Sequence, residues 1–256
     1  KGLKTVIIPT ERQGVNLQGI LMPFGIFGIN FLKIQRGMYD PDWLELKKIK
    51  KKYRVISSVV EPIRIQSIAD YKSNGYKQSN FPYLATKTIV IDLQKSVDKL
   101  RAGFSANAKR IVKKNKIEVK EVSPAEFLEE RKKSSKIWTT PLAELEGMKQ
   151  TLGNNVFFLI GYIGGKCQSG ILLVDTTDMT NYFHTFTSAE GRKTGAHYSL
   201  VWKTILDSKK RKKKYYDFEG IFDSRWPQKK WLGFTEFKNK FGGEVVTHPG
   251  CFQKWL

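Results

Sequence analysis

Apolar positions along the 256-residue chain switch between a period of two and a period near 3.6, which predicts alternating strands and helices. Leu3 to Ile8, Gln18 to Phe24 and Phe31 to Gln35 read as strands, the last closed by Arg36-Gly37. Asp40-Pro41-Asp42 reads as a helix start, with Asp40 as the cap and proline at the first helical position. The helix Trp43 to Tyr53 then turns Trp43, Leu44, Leu46 and Ile49 inward and leaves a lysine-rich outer face. Val55 to Val60 is continuously apolar, as in a strand buried on both faces. Tyr71 to Tyr83 is polar and turn-rich, and Lys87 to Leu93 is a strand with Asp92 near its end. Ser96 caps one helical segment in which Val97, Leu100, Phe104, Ala108 and Ile111 share a face.

A second unit is expected from residue 117, so the domains read as 1–116 and 117–256, with the C-terminal residues returning to the first unit. Val119 to Val122 is strand-like, Ser123-Pro124 starts a helix running to about Trp138, and another helix follows Pro141. Val156 to Ile163, a Gly164-Gly165 turn and Lys166 to Val174 form a hairpin, and Thr180 to Ser188 is the next strand. Gly191 to Ala196 reads as a glycine-containing loop before a helix to Ser208. The chain then runs through a basic loop into the short strand Tyr215 to Phe218. Phe234, Phe237 and Phe241 recur at i, i+3 and i+7, one apolar helical stripe, with Lys238 and Lys240 on or beside it. Gly242-Gly243 ends that helix, and Glu244 to Val246 resumes as strand.

Composition narrows the class. Hydrophobic residues make up 40% and aromatics 12%, which is a folded chain with a real core. The net charge of +21 points to an anionic partner: nucleic acid, a phosphorylated small molecule or an anionic membrane surface. Two cysteines, Cys167 and Cys251, make neither a disulfide framework nor a metal set, and the three histidines have no ligand spacing, which fits a reducing cytosol. No apolar run approaches the roughly 18 residues of a membrane span; the nearest, Ile20 to Leu32, is interrupted by glycines, a proline and an asparagine. The start in mid-pattern, without a methionine, suggests that N-terminal residues precede Lys1. Lys109, Arg110, Lys113 and Lys114 make a basic helix face able to track phosphates, or else a solvated surface.

The order helix, hairpin, strand, glycine loop, helix, strand, helix, strand resembles the acetyltransferase fold of the GNAT superfamily. In that fold a glycine-rich loop at a helix N-terminus binds the cofactor pyrophosphate. Arg192-Lys193-Thr194-Gly195-Ala196-His197 matches the first half of that loop, and His197 stands where a second small residue is expected. A closer resemblance spans roughly Gln35 to Val246. KTIVIDL with the basic helix FSANAKRIVKKNK, then YYDFEGI, then G-x-x-x-FK-x-x-FGG at Gly233 to Gly243, resembles the Fem family of peptidoglycan bridge-forming aminoacyltransferases.

That resemblance implies an α/β chain of two GNAT-like units, each a mixed, mostly antiparallel sheet flanked by helices, with a cleft between them. It implies an amine of a peptidoglycan-precursor stem peptide attacking the ester of aminoacyl-tRNA, with the tRNA as co-substrate and no other cofactor. The acceptor is a lipid-linked or nucleotide-linked muropeptide, and the enzyme is cytoplasmic, in peripheral contact with the inner membrane face if the acceptor is lipid-linked. Phe237-Lys238 matches the family's FK pair, whose lysine stabilises the developing oxyanion. Arg192 is a candidate for substrate phosphates or else a surface arginine, Asp217 for orienting an amine or else capping a strand end, and Lys229 and Lys230 for flanking the cleft. Tyr198 and Tyr216 read as core residues. The absence of a Ser-His-Asp, Cys-His or metal-ligand pattern agrees with a reaction that needs no covalent intermediate. Two other classes stay open: an acyl-CoA-dependent N-acyltransferase, and a non-catalytic RNA-binding protein.

Overall fold

The computed structural model describes residues 3–25, 28–64, 68–134 and 140–255. In chain order the elements begin with strands β1 (Lys4–Pro9), β2 (Asn16–Phe24) and β3 (Ile29–Gly37), helix α1 (Trp43–Lys52), β4 (Val55–Pro62), α2 (Ile68–Ser73) and β5 (Lys77–Gln78). They continue with β6 (Lys87–Asp92), α3 (Val97–Ala102), α4 (Ala106–Lys114), β7 (Glu118–Glu121), α5 (Pro124–Ser134) and α6 (Leu142–Leu152). Then come β8 (Val156–Ile163), β9 (Lys166–Asp175), β10 (Met179–Thr187), α7 (Ala189–Thr194), α8 (Ala196–Lys210), β11 (Tyr215–Gly220), α9 (Leu232–Asn239), β12 (Glu244–Thr247) and β13 (Phe252–Trp255). Among the described residues no helix is long and apolar enough to cross a membrane.

The chain forms two compact units. The first comprises residues 1–87, 222–229 and 247–256, around a six-stranded sheet of order β1-β2-β3-β4-β13-β5. Its strands β1, β2 and β3 are antiparallel, and α1 carries the chain over to β4, which runs parallel to β3. The second comprises residues 88–221 and 230–246, around a seven-stranded sheet of order β12-β6-β11-β10-β9-β8-β7. It repeats the plan: β8, β9 and β10 are antiparallel, and β11 then pairs parallel to β10 after the α7–α8 crossover.

The boundary therefore lies at Lys87/Thr88 and not at 116/117. β6 pairs with β11, and Ile89, Ile91, Leu100 and Phe104 share one core with Tyr216, Phe218 and Leu200. A strand's own pattern does not say which sheet it joins, and that is why position misassigned it. The C-terminal β13 pairs with β4 of the first unit.

Several local readings change for physical reasons. The cap of α1 is Asp42, whose carboxylate accepts from the backbone of Leu44 and Glu45, while Asp40 is buried and accepts from the Tyr71 hydroxyl at 2.9 Å. Leu44 is 64% exposed, whereas Lys50, read as outer-face, is buried. The turn-rich stretch from Tyr71 begins inside α2, and Tyr71 is fully buried. The single basic helix is two helices, capped by Ser96 and Ser105. The glycine loop after β10 is mostly α7, and the helix expected to reach Trp138 is described to Ser134, its expected end lying outside the described residues. In α9 Phe234 is 39% exposed, while Phe241, just past the helix, packs on the rings of Phe104, Phe218 and Tyr198.

The FGG of the last motif has a steric cause. Gly242 and Gly243 have φ of 72° and 95°, which side-chain-bearing residues rarely adopt. A Cβ on Gly242 would lie 2.7 Å from the Gly103 carbonyl oxygen, and one on Gly243 would lie 2.8 Å from that of Val90. The pair lets the chain leave α9 flush against β6. Gly233, in the same motif, faces open space. Gly243→Ala is expected to cost at least about 2 kcal/mol in urea unfolding, since left-handed backbone alone costs roughly 1–2 kcal/mol. Gly233→Ala is expected to be neutral or to stabilise by roughly 0.5–1 kcal/mol; equal losses at both positions would refute this account.

Candidate active site

In the second unit β10 and β11 pair over only Met179–Asn181 and Tyr215–Asp217, although β10 continues to Thr187. Beyond the paired stretch, a cavity of about 270 Å³ is lined by Tyr182, Thr185 and Thr187 of β10, His197 and Tyr198 of α8, and Phe234 and Phe237 of α9. Parallel strands that separate before their ends leave main-chain and side-chain groups facing a gap, and such gaps are where open α/β sheets bind ligands. Phe237 forms part of the wall, its ring centroid 5.1 Å from that of His197 and 4.8 Å from that of Tyr198. It has no polar group, so its contribution is shape.

Lys238 follows it in sequence and is 6% exposed. Its ammonium donates to the Gly220 carbonyl at the end of β11, 2.6 Å away. It also lies 5.0 Å from the ring centre of Phe234 and 5.4 Å from that of Tyr182, two residues of the cavity wall. Burial lowers its pKa to about 8, while the nearby carboxylates of Glu219 and Asp217 favour the charged form. The group is thus mostly protonated at neutral pH and poorly solvated, and an ammonium in that condition gains most from a new negative charge nearby.

The backbone that receives Lys238 is shaped by Asp217. Its Oδ1 accepts from the Glu219 N–H at 2.7 Å and from the Thr88 hydroxyl, holding a bulge in which Glu219 has φ 58°. Asp217 thus holds the backbone that carries the Lys238 acceptor.

His197 is buried, and its Nε2 lies 2.6 Å from the Tyr182 hydroxyl. Burial holds His197 down at about 4, so the ring is neutral, and the same effect pushes the Tyr182 phenol up. The other ring nitrogen, Nδ1, is buried without a hydrogen-bond partner among the described residues. Such orphaned groups are rare in folded proteins and mark where a bound group would bond. In the sequence His197 stands out only as a departure from the glycine pattern, and nothing there pairs it with Tyr182, fifteen positions earlier.

A second cavity of about 620 Å³ adjoins the first, sharing Arg192, Gly195 and Tyr198. Its other walls include Arg110 and Lys114 of α4 and Lys193 of α7. Two groups read separately in the sequence, the basic face and Arg192, thus converge on one basin. The Asn115 side chain ties them, donating to the Thr194 carbonyl at 2.8 Å, and Arg192 is steadied by the Thr187 carbonyl at 2.6 Å. Lys109 and Lys113 do not line this basin, and the Lys109 ammonium instead closes on the Ala102 carbonyl at 2.8 Å. Lys229 and Lys230 are exposed on a short turn and line neither cavity. Tyr198, read as core, is half-buried and borders both, whereas Tyr216 is fully buried and bonds Thr204.

The backbone at the junction matters for ligand class. Gly195, at φ 71°, ends α7 and starts α8. The N–H groups of Gly191, Arg192, Gly195 and Tyr198 are spent on Ser188 Oγ, Ser188 O, Gly191 O and Gly195 O. The first N–H groups of α8, those of Ala196 and His197, are not spent in these bonds, so an anion here meets side-chain cations and backbone donors together. Among the described residues no group of three His, Cys, Asp or Glu could hold a metal ion.

Comparison with known proteins fits this architecture. The crystal structure of FemX matches with a TM-score of 0.80 at 14% identity, covering 100% of this chain and 89% of that one. A tandem GNAT protein from the clavulanic acid biosynthesis pathway matches with a TM-score of 0.60 at 12% identity, over 95% and 81%. L-PGS from Bacillus licheniformis matches with 0.58 at 11%, over 97% and 83%. These likenesses establish the fold, two GNAT-like units in one α/β chain. No curated protein matches the sequence. The FemAB family model matches residues 77–256, which take in β6, the basic basin, the bulge of β11 and the FK-FGG segment. The chain belongs to the FemAB family.

Proposed function

We propose that the protein transfers an aminoacyl group from aminoacyl-tRNA to an amine on the stem peptide of a peptidoglycan precursor. Membership of the FemAB family makes it a transferase of peptidoglycan synthesis. The finer reading rests on one observation: a buried, protonated Lys238 beside a small cavity that opens onto a basin lined by Arg110, Lys114, Arg192 and Lys193.

In this reading the basin takes the phosphates of the tRNA acceptor end, and the inner cavity takes the aminoacyl ester. The acceptor nitrogen adds to the ester carbonyl carbon, and the carbonyl oxygen becomes an oxyanion. Lys238 stabilises that charge, with Gly220 holding its ammonium in place. Collapse of the adduct breaks the bond to the tRNA ribose oxygen, which takes up the proton lost by the amine. The neutral Tyr182–His197 pair leaves His197 Nδ1 to bond the aminoacyl group. An activated ester needs positioning and charge stabilisation more than a nucleophilic residue.

Lys238→Met should lower single-turnover transfer of label from a mixture of radiolabelled aminoacyl-tRNAs to muropeptide by about 10²–10³-fold, the usual loss of one oxyanion donor. tRNA affinity should stay within a factor of about three; full activity in the variant would remove the assignment. Arg192→Ala and Arg110→Ala should weaken tRNA binding and each flatten the slope of log K against log salt by about one phosphate contact. An unchanged slope in both would place the tRNA elsewhere.

A further inference from the structure

The first unit has a separate cavity of about 640 Å³, alongside α1 and the turn after α2. That is the size of a small-molecule site. Its walls include Trp43, Leu46, Tyr76 and the stems of Lys50 and Lys254, and they are almost wholly apolar. Every charged side chain lining it is basic.

Lys50 is the anomaly. It is 7% exposed, on the helix face that ordinarily holds apolar residues. Among the described residues it has no ion pair, and its ammonium rests only over the Tyr76 ring, 5.5 Å from the centre. Burial, and to a lesser degree the nearby Lys254 charge, brings Lys50 down to about 8. The Lys254 ammonium is anchored on the Asn74 carbonyl at 2.7 Å and packs against Gly75, whose added Cβ would stand 3.0 Å from it. The indole N–H of Trp43, another wall residue, is buried without an acceptor. Arg54, at the same cavity, holds φ 48°, a conformation a helix end usually gives to glycine. The buried Lys50 ammonium has no anionic partner among the described residues and the Trp43 indole N–H no acceptor, with the half-buried Lys254 a second cation on the same apolar wall, and an unpaired buried charge is strongly destabilising.

We propose that this cavity binds an amphipathic anion, with a phosphate or carboxylate head between Lys50 and Lys254 and its apolar chain along Trp43, Leu46 and Tyr76. The head would accept from the Trp43 indole as well as from both lysines. The inference is independent of the transferase reading, and neither stands or falls with the other.

The test is calorimetry and thermal unfolding with octyl phosphate below its micelle concentration, beside inorganic phosphate and octanol. Octyl phosphate should bind saturably, one per chain, and raise Tm, with the two controls at least a hundredfold weaker. Lys50→Met should raise the ligand-free Tm and weaken octyl phosphate at least tenfold; Lys254→Gln should weaken it similarly, should the first variant not fold. Sedimentation with phosphatidic acid vesicles separates the sources: Lys50-dependent capture identifies a bilayer lipid, and octyl phosphate binding without capture identifies a soluble amphiphile. No saturable binding, equal binding of inorganic phosphate, or affinity unchanged in both variants would overturn the proposal.

Discussion

The ammonium of Lys238, held out of water against the Gly220 carbonyl, is the contact around which the FK-FGG segment is arranged and on which the proposed chemistry rests. Burying a charge in this way is unfavourable by itself, as its lowered pKa records. The surrounding structure supplies what offsets it. Asp217 and Thr88 hold the bulge at Phe218-Glu219, after which Gly220 pairs again with Thr88 of β6 and turns its carbonyl to the Lys238 ammonium. Phe237 and Phe241 fasten the segment to the core rings, and Gly242-Gly243 let the chain turn against Gly103 and β6. The residues of the motif thus serve one placement, and only Gly233 has no structural reason for its identity.

Around that contact the cations divide by surroundings. Arg110, Lys114, Arg192 and Lys193 face an open basin, where they stay solvated until an anion arrives and where salt screens them. Lys238 and Lys50 are buried and pay for it in stability, which is the ordinary mark of a group kept for binding or catalysis. The high net charge is therefore not uniform: a few cations are buried or gathered on one basin, and others, such as Lys229 and Lys230, are exposed on the surface.

Much of this was legible in the chain itself. Strand and helix periods located β6, the β8–β9 hairpin, α8 and α9, and the FK-FGG spacing singled out Lys238. What the pattern could not supply was partnership. KTIVID reads as a strand but not as the neighbour of β11, so the unit boundary moved to Lys87/Thr88. Lys50 reads as a solvated lysine because helical periodicity does not reveal a second element folded over that face. Tyr182 and His197 come from different elements and meet only in three dimensions. Asp40 and Asp42 both fit a cap, and only the backbone geometry separates them.

The central claim is best tested by titrating the Lys238 side chain by NMR with labelled lysine, using Lys238→Arg to assign its signal. A midpoint near 8, as burial beside the aromatic wall requires, would sustain the account. A midpoint at the ordinary lysine value of about 10.4 would show a solvated ammonium and contradict it.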